Sequence, residues 1–158
     1  MTLDEAKAVL AALVREDVDF VVIGSMAMAA QGLPRATHDF DLFVSPEIEN
    51  LQALKRALRD LFDDPNVEQI DPEELAGDYP AVEYSPPHGQ YSMDILTRLG
   101  EAFTWGDLSG DCDEIELGEL VVRVASPRML YLMKKDTVRP QDRLDAARIR
   151  ETFELEED

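Results

Sequence analysis

Behind Thr2, the apolar positions Leu3, Ala6, Val9, Leu10 and Leu13 recur at helical spacing. Thr2-Leu3-Asp4-Glu5 is a capping-box pattern, in which the Thr and Glu side chains each satisfy a backbone N–H left free at a helix start. Together they predict an amphipathic helix to about Glu16. Phe20 to Ile23 is a continuous apolar, β-branched run of strand length, and Phe40 to Val44 is a second, interrupted only by Asp41. Between them, Ser25 to Gln31 is rich in Ala and Met and stops at Gly32, predicting a short helix followed by a loop from Leu33 to His38. Ser45-Pro46 is expected to cap a further amphipathic helix carrying Ile48, Leu51, Leu54, Leu58 and Leu61, stopped by Asp63-Asp64-Pro65-Asn66. Strand, helix, strand, helix is the start of an α/β fold.

Farther along, Val67 to Ile70 predicts a short strand, and Asp71 to Tyr84 carries mixed signals. Pro86-Pro87-His88-Gly89 predicts the turn of a hairpin joining Ala81–Ser85 to Tyr91–Leu96. Leu99 to Leu108 reads as a short helix or loop holding Trp105. Glu114–Leu117 and Leu120–Ala125 predict a second hairpin around Gly118-Glu119. Ser126-Pro127 caps a helix to about Asp136, and Gln141 to Phe153 forms the last helix before an acidic tail, residues 154–158. The expected architecture is a mixed sheet flanked by helices, one domain over residues 1–158 with its core at about 18–150.

The second apolar run carries the candidate chemistry. Strand residues i and i+2 share a face, so Asp39 and Asp41 project side by side. Two carboxylates so placed raise each other's pKa unless a cation lies between them, and hard divalent ions such as Mg²⁺ favour such oxygen pairs. Asp94, bracketed by Met93, Ile95 and Leu96, is a third carboxylate inside an apolar strand. Gly24-Ser25, ending the first strand, suits phosphates: glycine permits close backbone approach, and the following helix offers free N–H groups. Ser25 as a simple helix N-cap is the alternative.

Gly24-Ser25, then Gly32-Leu33-Pro34-Arg35-Ala36-Thr37-His38-Asp39-Phe40-Asp41-Leu42, resembles the signature of the polymerase-β-type nucleotidyltransferase superfamily, and within it the AbiEii/MenT-like group. Met93-Asp94-Ile95-Leu96, Met133-Lys134 and Arg139-Pro140-Gln141-Asp142-Arg143-Leu144-Asp145 extend the resemblance to about residue 150. It implies a nucleotidyltransferase fold and transfer of an NMP from an NTP to an acceptor hydroxyl, with Asp39, Asp41 and Asp94 binding two Mg²⁺ ions, or Mn²⁺. Gly24 and Ser25, with Lys134 and Arg139, would hold the triphosphate. It also implies toxin-antitoxin or defence biology, a cognate antitoxin as partner, and RNA 3′ ends as one acceptor class. Asp142 and Asp145 have local ion pairing with Arg139 and Arg143 as their default explanation, and the resemblance adds a site role for Asp142. Lys134 has a helix-end cation as its alternative. Arg35 reads as a phosphate contact or a seal on its loop, and His38 as loop structure or a substrate contact.

Composition alters this reading at the acceptor. Acidic residues number 34 against 15 basic, a net charge of −19. Such a field repels polyanions, so an extended RNA footprint would need a local basic patch. A protein side chain or small molecule remains open as acceptor, and no acceptor-binding domain beyond the core is evident. A salt-adapted cytoplasm and an ordinary acidic cytosolic protein both fit the charge. No apolar stretch reaches membrane-spanning length, and one cysteine, Cys112, excludes an internal disulfide, so a cytoplasmic location is expected. Two other function classes are a non-catalytic nucleotide-binding module and a hydrolase using the same metals.

Overall fold

In a computed structural model that describes residues 1–34 and 39–156, Thr2 caps α1 (Leu3–Arg15). The capping box forms as predicted: Glu5 N–H donates to Thr2 Oγ1 at 3.1 Å and Thr2 N–H donates to Glu5 Oε1 at 2.8 Å. The buried stripe Ala6, Val9, Leu10, Ala12 and Leu13 makes α1 part of the same core as the sheet. The expectations for Arg35 and His38 lie outside the described residues.

β1 (Phe20–Ile23) is buried at every position, and α2 (Gly24–Ala30) follows without a break. In β2 (Asp39–Val44) Phe40, Leu42, Phe43 and Val44 are buried. α3 (Ile48–Phe62) starts after Glu47, not at the expected Ser45-Pro46 cap. Ser45 and Pro46 instead form the approach, which buried Asn50 fastens: its amide donates to Ser45 O at 3.0 Å and Asp19 O at 3.1 Å, and its carbonyl accepts from Asp19 N–H at 2.7 Å.

The strand expected at 67–70 is a 3-10 helix, Pro65–Gln69. Pro65 presets its first turn, the Asp64 side chain accepts from Asn66 N–H, and Val67 and Ile70 are buried three positions apart, the period of that helix. α4 (Pro72–Ala76) occupies part of the segment with mixed signals. The hairpin appears as β3 (Ala81–Tyr84) and β4 (Ser92–Leu96). The stretch read as a helix or loop contains two short strands, β5 (Arg98–Leu99) and β6 (Phe103–Thr104), then α5 (Trp105–Ser109). β7 (Cys112–Leu117) and β8 (Leu120–Ala125) form the second hairpin, and Ser126 caps α6 (Pro127–Lys134) by accepting from Met129 N–H at 3.0 Å. α7 (Pro140–Thr152) closes the fold.

Six strands form one mixed sheet in the order β3-β4-β2-β1-β8-β7. β1 and β2 are antiparallel, whereas β2–β4 and β1–β8 are parallel pairs. This order places residues far apart in the chain on adjacent strands at the sheet centre. Phe40, Phe43 and Met93 are fully buried there, each contributing on the order of 2 kcal/mol by removal from water. The result is a single α/β domain with helices flanking a mixed sheet, as the sequence predicts.

Candidate active site

The parallel register of β2 on β4 pairs Asp39 with Ser92 and Asp41 with Asp94. Opposed residues on neighbouring strands point to the same face, about 5 Å apart. The three sequence-predicted carboxylates therefore share one face, while Phe40, Leu42, Met93 and Ile95 fill the other. Ser92 Oγ donates to Asp39 Oδ1 at 3.0 Å, and Asp41 shares a side-chain hydrogen bond with Asp94. The Asp41 carboxyl is pushed up to about 7. Burial is the largest cause, followed by the charge and hydrogen bond of Asp94 and the charge of Asp39, while Lys134 pulls the other way.

Among the described residues, no three His, Cys, Asp or Glu side chains converge into a ready-made metal cage. An open oxygen face still fits a hard ion such as Mg²⁺, which takes one or two carboxylates and completes its shell with water and substrate phosphates. A carboxylate whose ionisation is suppressed by neighbouring carboxylates is relieved by such a charge.

Gly24 lies directly beneath this face. Its φ is +69°, and a Cβ there would overlap the Asp41 carboxylate, so both backbone and space require glycine. Ser25 is not the N-cap of α2; Ile23 occupies that position without a side-chain cap bond. Ser25 is buried in the first turn, and Gly24 is the member of the pair that lines the neighbouring cavity.

That cavity, of about 560 Å³, brings together Gly24, Asp39, Asp41, Asp94, Lys134 and Arg139. Among the described residues, Ser25 is the one member of the predicted carboxylate and phosphate set absent from its lining. Lys134 is the last residue of α6 and is 8% exposed. Its Nζ donates to Asp145 Oδ2 at 3.1 Å and to Asp142 Oδ1 at 3.5 Å. The local pairing expected for these aspartates with Arg139 and Arg143 is thus replaced by a lysine from the preceding helix, because α6 and α7 pack face to face. Gln141 Nε2 donates to Asp145 Oδ1 at 3.0 Å, and Thr137 Oγ1 to Asp142 Oδ2 at 2.9 Å. Arg143 Nε donates to Thr137 O at 3.2 Å, and Arg139 is the N-cap of α7.

The profile of the family described as nucleotidyl transferase AbiEii toxin, type IV toxin-antitoxin system, matches residues 8–152. The chain belongs to the AbiEii nucleotidyltransferase family. It is accordingly an enzyme of the nucleotidyltransferase class. No curated protein matches the sequence. Two solved structures share the fold of this AbiEii-family chain. One is a Thermotoga maritima protein assigned as a nucleotidyltransferase, at 18% identity and a TM-score of 0.56. The other is ANT(2″)-Ia in complex with adenylyl-2″-tobramycin, at 16% identity and a TM-score of 0.58. Each alignment covers 97% of this chain and 89% of the other.

The AbiEii-family site also contains a residue the sequence reading missed. β3 pairs with β4 so that Glu83 lies opposite Asp94 and lines the same cavity. The predicted hairpin contained both residues, but their opposition depends on a register that a long, proline-rich turn does not reveal.

Proposed function

We propose that this chain transfers a nucleoside monophosphate from an NTP to an acceptor hydroxyl. The supporting observation is the Asp41–Asp94 pair, opposed on parallel strands with Asp39 beside it and the Asp41 carboxyl raised to about 7. Two divalent ions, Mg²⁺ or Mn²⁺, would be held by Asp39, Asp41 and Asp94. Bound there, they would neutralise phosphate charge and stabilise the entering and leaving oxygens.

In this reading Asp94 accepts the proton of the acceptor hydroxyl, whose oxygen forms a bond to the α-phosphorus. The bond from that phosphorus to the β-phosphate oxygen breaks, and pyrophosphate leaves with the electron pair. Gly24 admits the phosphates close to the backbone, and Ser25 belongs to the same turn. Lys134 and Arg139, on the cavity wall, offset triphosphate charge. Asp142 and Asp145 hold Lys134 in place.

The family membership supports a toxin role with a cognate antitoxin as partner. The chain's −19 charge weighs against an extended RNA acceptor and leaves a short RNA 3′ end, a protein side chain or a small molecule. A cytoplasmic location accords with the single cysteine. Among the described residues no helix is long and apolar enough to cross a membrane.

Equilibrium binding of ATP, CTP, GTP and UTP with Mg²⁺, followed by labelled-NMP transfer to RNA, protein and small-molecule fractions, tests the reading. Binding and transfer that disappear together in the Asp39→Ala, Asp41→Ala double variant are expected. Transfer undiminished in that variant would falsify it, and NTP binding without transfer would point to a binding module.

A further inference from the structure

Resting on the nucleotidyltransferase reading above, we propose that Glu83 is a specificity residue that selects an acceptor carrying a protonated amine close to its reactive hydroxyl. Across the sheet, one row on one face reads Ile23, Asp41, Asp94, Glu83, from β1 through β2 and β4 to β3. In the nucleotidyltransferase reading the triphosphate would lie at the Asp41 side of this row, where Gly24 abuts the Asp41 carboxylate and the Lys134 charge acts on it. Asp94 receives the hydroxyl proton, so the acceptor enters beyond it, over β4 and β3. Glu83 is the next side chain in that direction, one strand spacing or about 5 Å past Asp94.

Glu83 has features that separate it from the ion-binding carboxylates. It lies two strands from Asp41, about 10 Å, which is too far to join Asp41 on one ion. Among the described residues it makes no side-chain hydrogen bond or ion pair, whereas Asp142 and Asp145 on the same cavity's other wall are satisfied by Lys134, Gln141 and Thr137. Glu83 is exposed to the cavity, and on the side away from Asp94 its neighbours are apolar: Ala81 and Leu96, opposed on the same face, and Leu99 line the cavity beside it. A carboxylate set in an apolar floor suits a ligand with a hydrocarbon ring face and an ammonium group. A phosphate-bearing acceptor would meet Glu83 as a like charge. The chemistry therefore points to a small polyhydroxylated amine, with one hydroxyl at Asp94 and one ammonium at Glu83. NMP transfer then proceeds as above, with the amine remaining protonated and unreacted.

The test compares NMP transfer from Mg²⁺–NTP to 2-deoxystreptamine, a diamino-cyclitol, and to myo-inositol, a cyclitol without amines. The full chain and its Glu83→Gln and Glu83→Asp variants are assayed at several pH values. The wild-type chain is expected to prefer the amine by about ten-fold in kcat/KM, the scale of one charge-assisted hydrogen bond. The preference should fade as pH rises through the amine's pKa. Glu83→Gln should erase it by raising KM for the amine, and Glu83→Asp should restore part of it. A wild-type chain with no preference for the amine, or one that transfers to neither cyclitol, overturns the assignment. So does a Glu83→Gln variant that lowers kcat for both acceptors equally. Nucleotide binding measured alongside separates the two proposals: lost Mg²⁺–NTP binding sinks the nucleotide reading, and intact binding confines the failure to Glu83.

Discussion

Two pairs of aspartates face the same cavity under opposite conditions. Asp142 and Asp145, on α7, are tied to Lys134, Thr137 and Gln141 at 2.9–3.5 Å, so both carboxylates have donors within the fold and share one cation. Asp41 and Asp94, on β2 and β4, are opposed across a strand pair, and burial together with the neighbouring Asp94 raises the Asp41 carboxyl to about 7. The first pair is finished architecture. The second carries an electrostatic cost that a divalent ion and its substrate would remove. The lysine belongs to both, buried among the α7 carboxylates while lowering the pKa of Asp41.

The largest expected effect breaks the second pair. Asp39→Ala with Asp41→Ala should reduce NMP transfer by about 10³-fold or more, because the charges that would hold the ions are gone. A residual rate within an order of magnitude of wild type would abolish the distinction between the pairs. Next comes the first pair: Lys134→Ala removes the ammonium 3.1 Å from Asp145, which is 3% exposed, and should cost about 3–5 kcal/mol in urea denaturation. The same variant should raise the pKa of Asp41 further.

Asp41→Asn tests the electrostatic cost itself, and its sign is fixed by the raised pKa. Between the unfolded value near 4 and the folded value of about 7, the native state binds more protons than the unfolded chain. Stability from this group is therefore present at low pH and lost as pH rises through that window. Without metal, Asp41→Asn should stabilise the protein at pH 8 relative to pH 5 by about 1–2 kcal/mol, a melting shift of roughly 2–4 °C per kcal/mol. Equal shifts at both pH values would remove the argument. The smallest effect belongs to Asp142→Asn, whose bond to Lys134 is long and which is partly exposed; about 1 kcal/mol or less is expected by chemical denaturation.

The central strands were legible because burial leaves a plain mark on sequence: Phe20–Ile23 and Phe40–Val44 are apolar runs, and both are buried as read. Asp39 and Asp41 follow from the two-residue period and Asp94 from its apolar bracket and the family resemblance; what strand order adds is the placement of Asp94 directly opposite Asp41. Val67–Ile70 misled because four residues with apolar ends look alike in a strand and in a 3-10 turn; the preceding Asp64-Pro65 was the discriminating signal. Asp142 and Asp145 misled for a different reason. Pairing with Arg139 and Arg143 is visible along one helix, whereas pairing with Lys134 depends on how two helices pack. Glu83 was hidden by register, which a turn of uncertain geometry leaves open.

The order of strands also sets when the carboxylate face can assemble during synthesis. Asp39 and Asp41 leave the ribosome early, but β2 lacks its parallel neighbour until residues 92–96 arrive, and β1 lacks its own until residues 120–125. Lys134 and its α7 anchors come later still. A growing chain, or one cut short before α7, contains the recognisable motif without the assembled face. Assembly of the carboxylate face and its lysine thus waits on segments that lie as many as about a hundred residues downstream of the motif, and is complete only once α7 has docked.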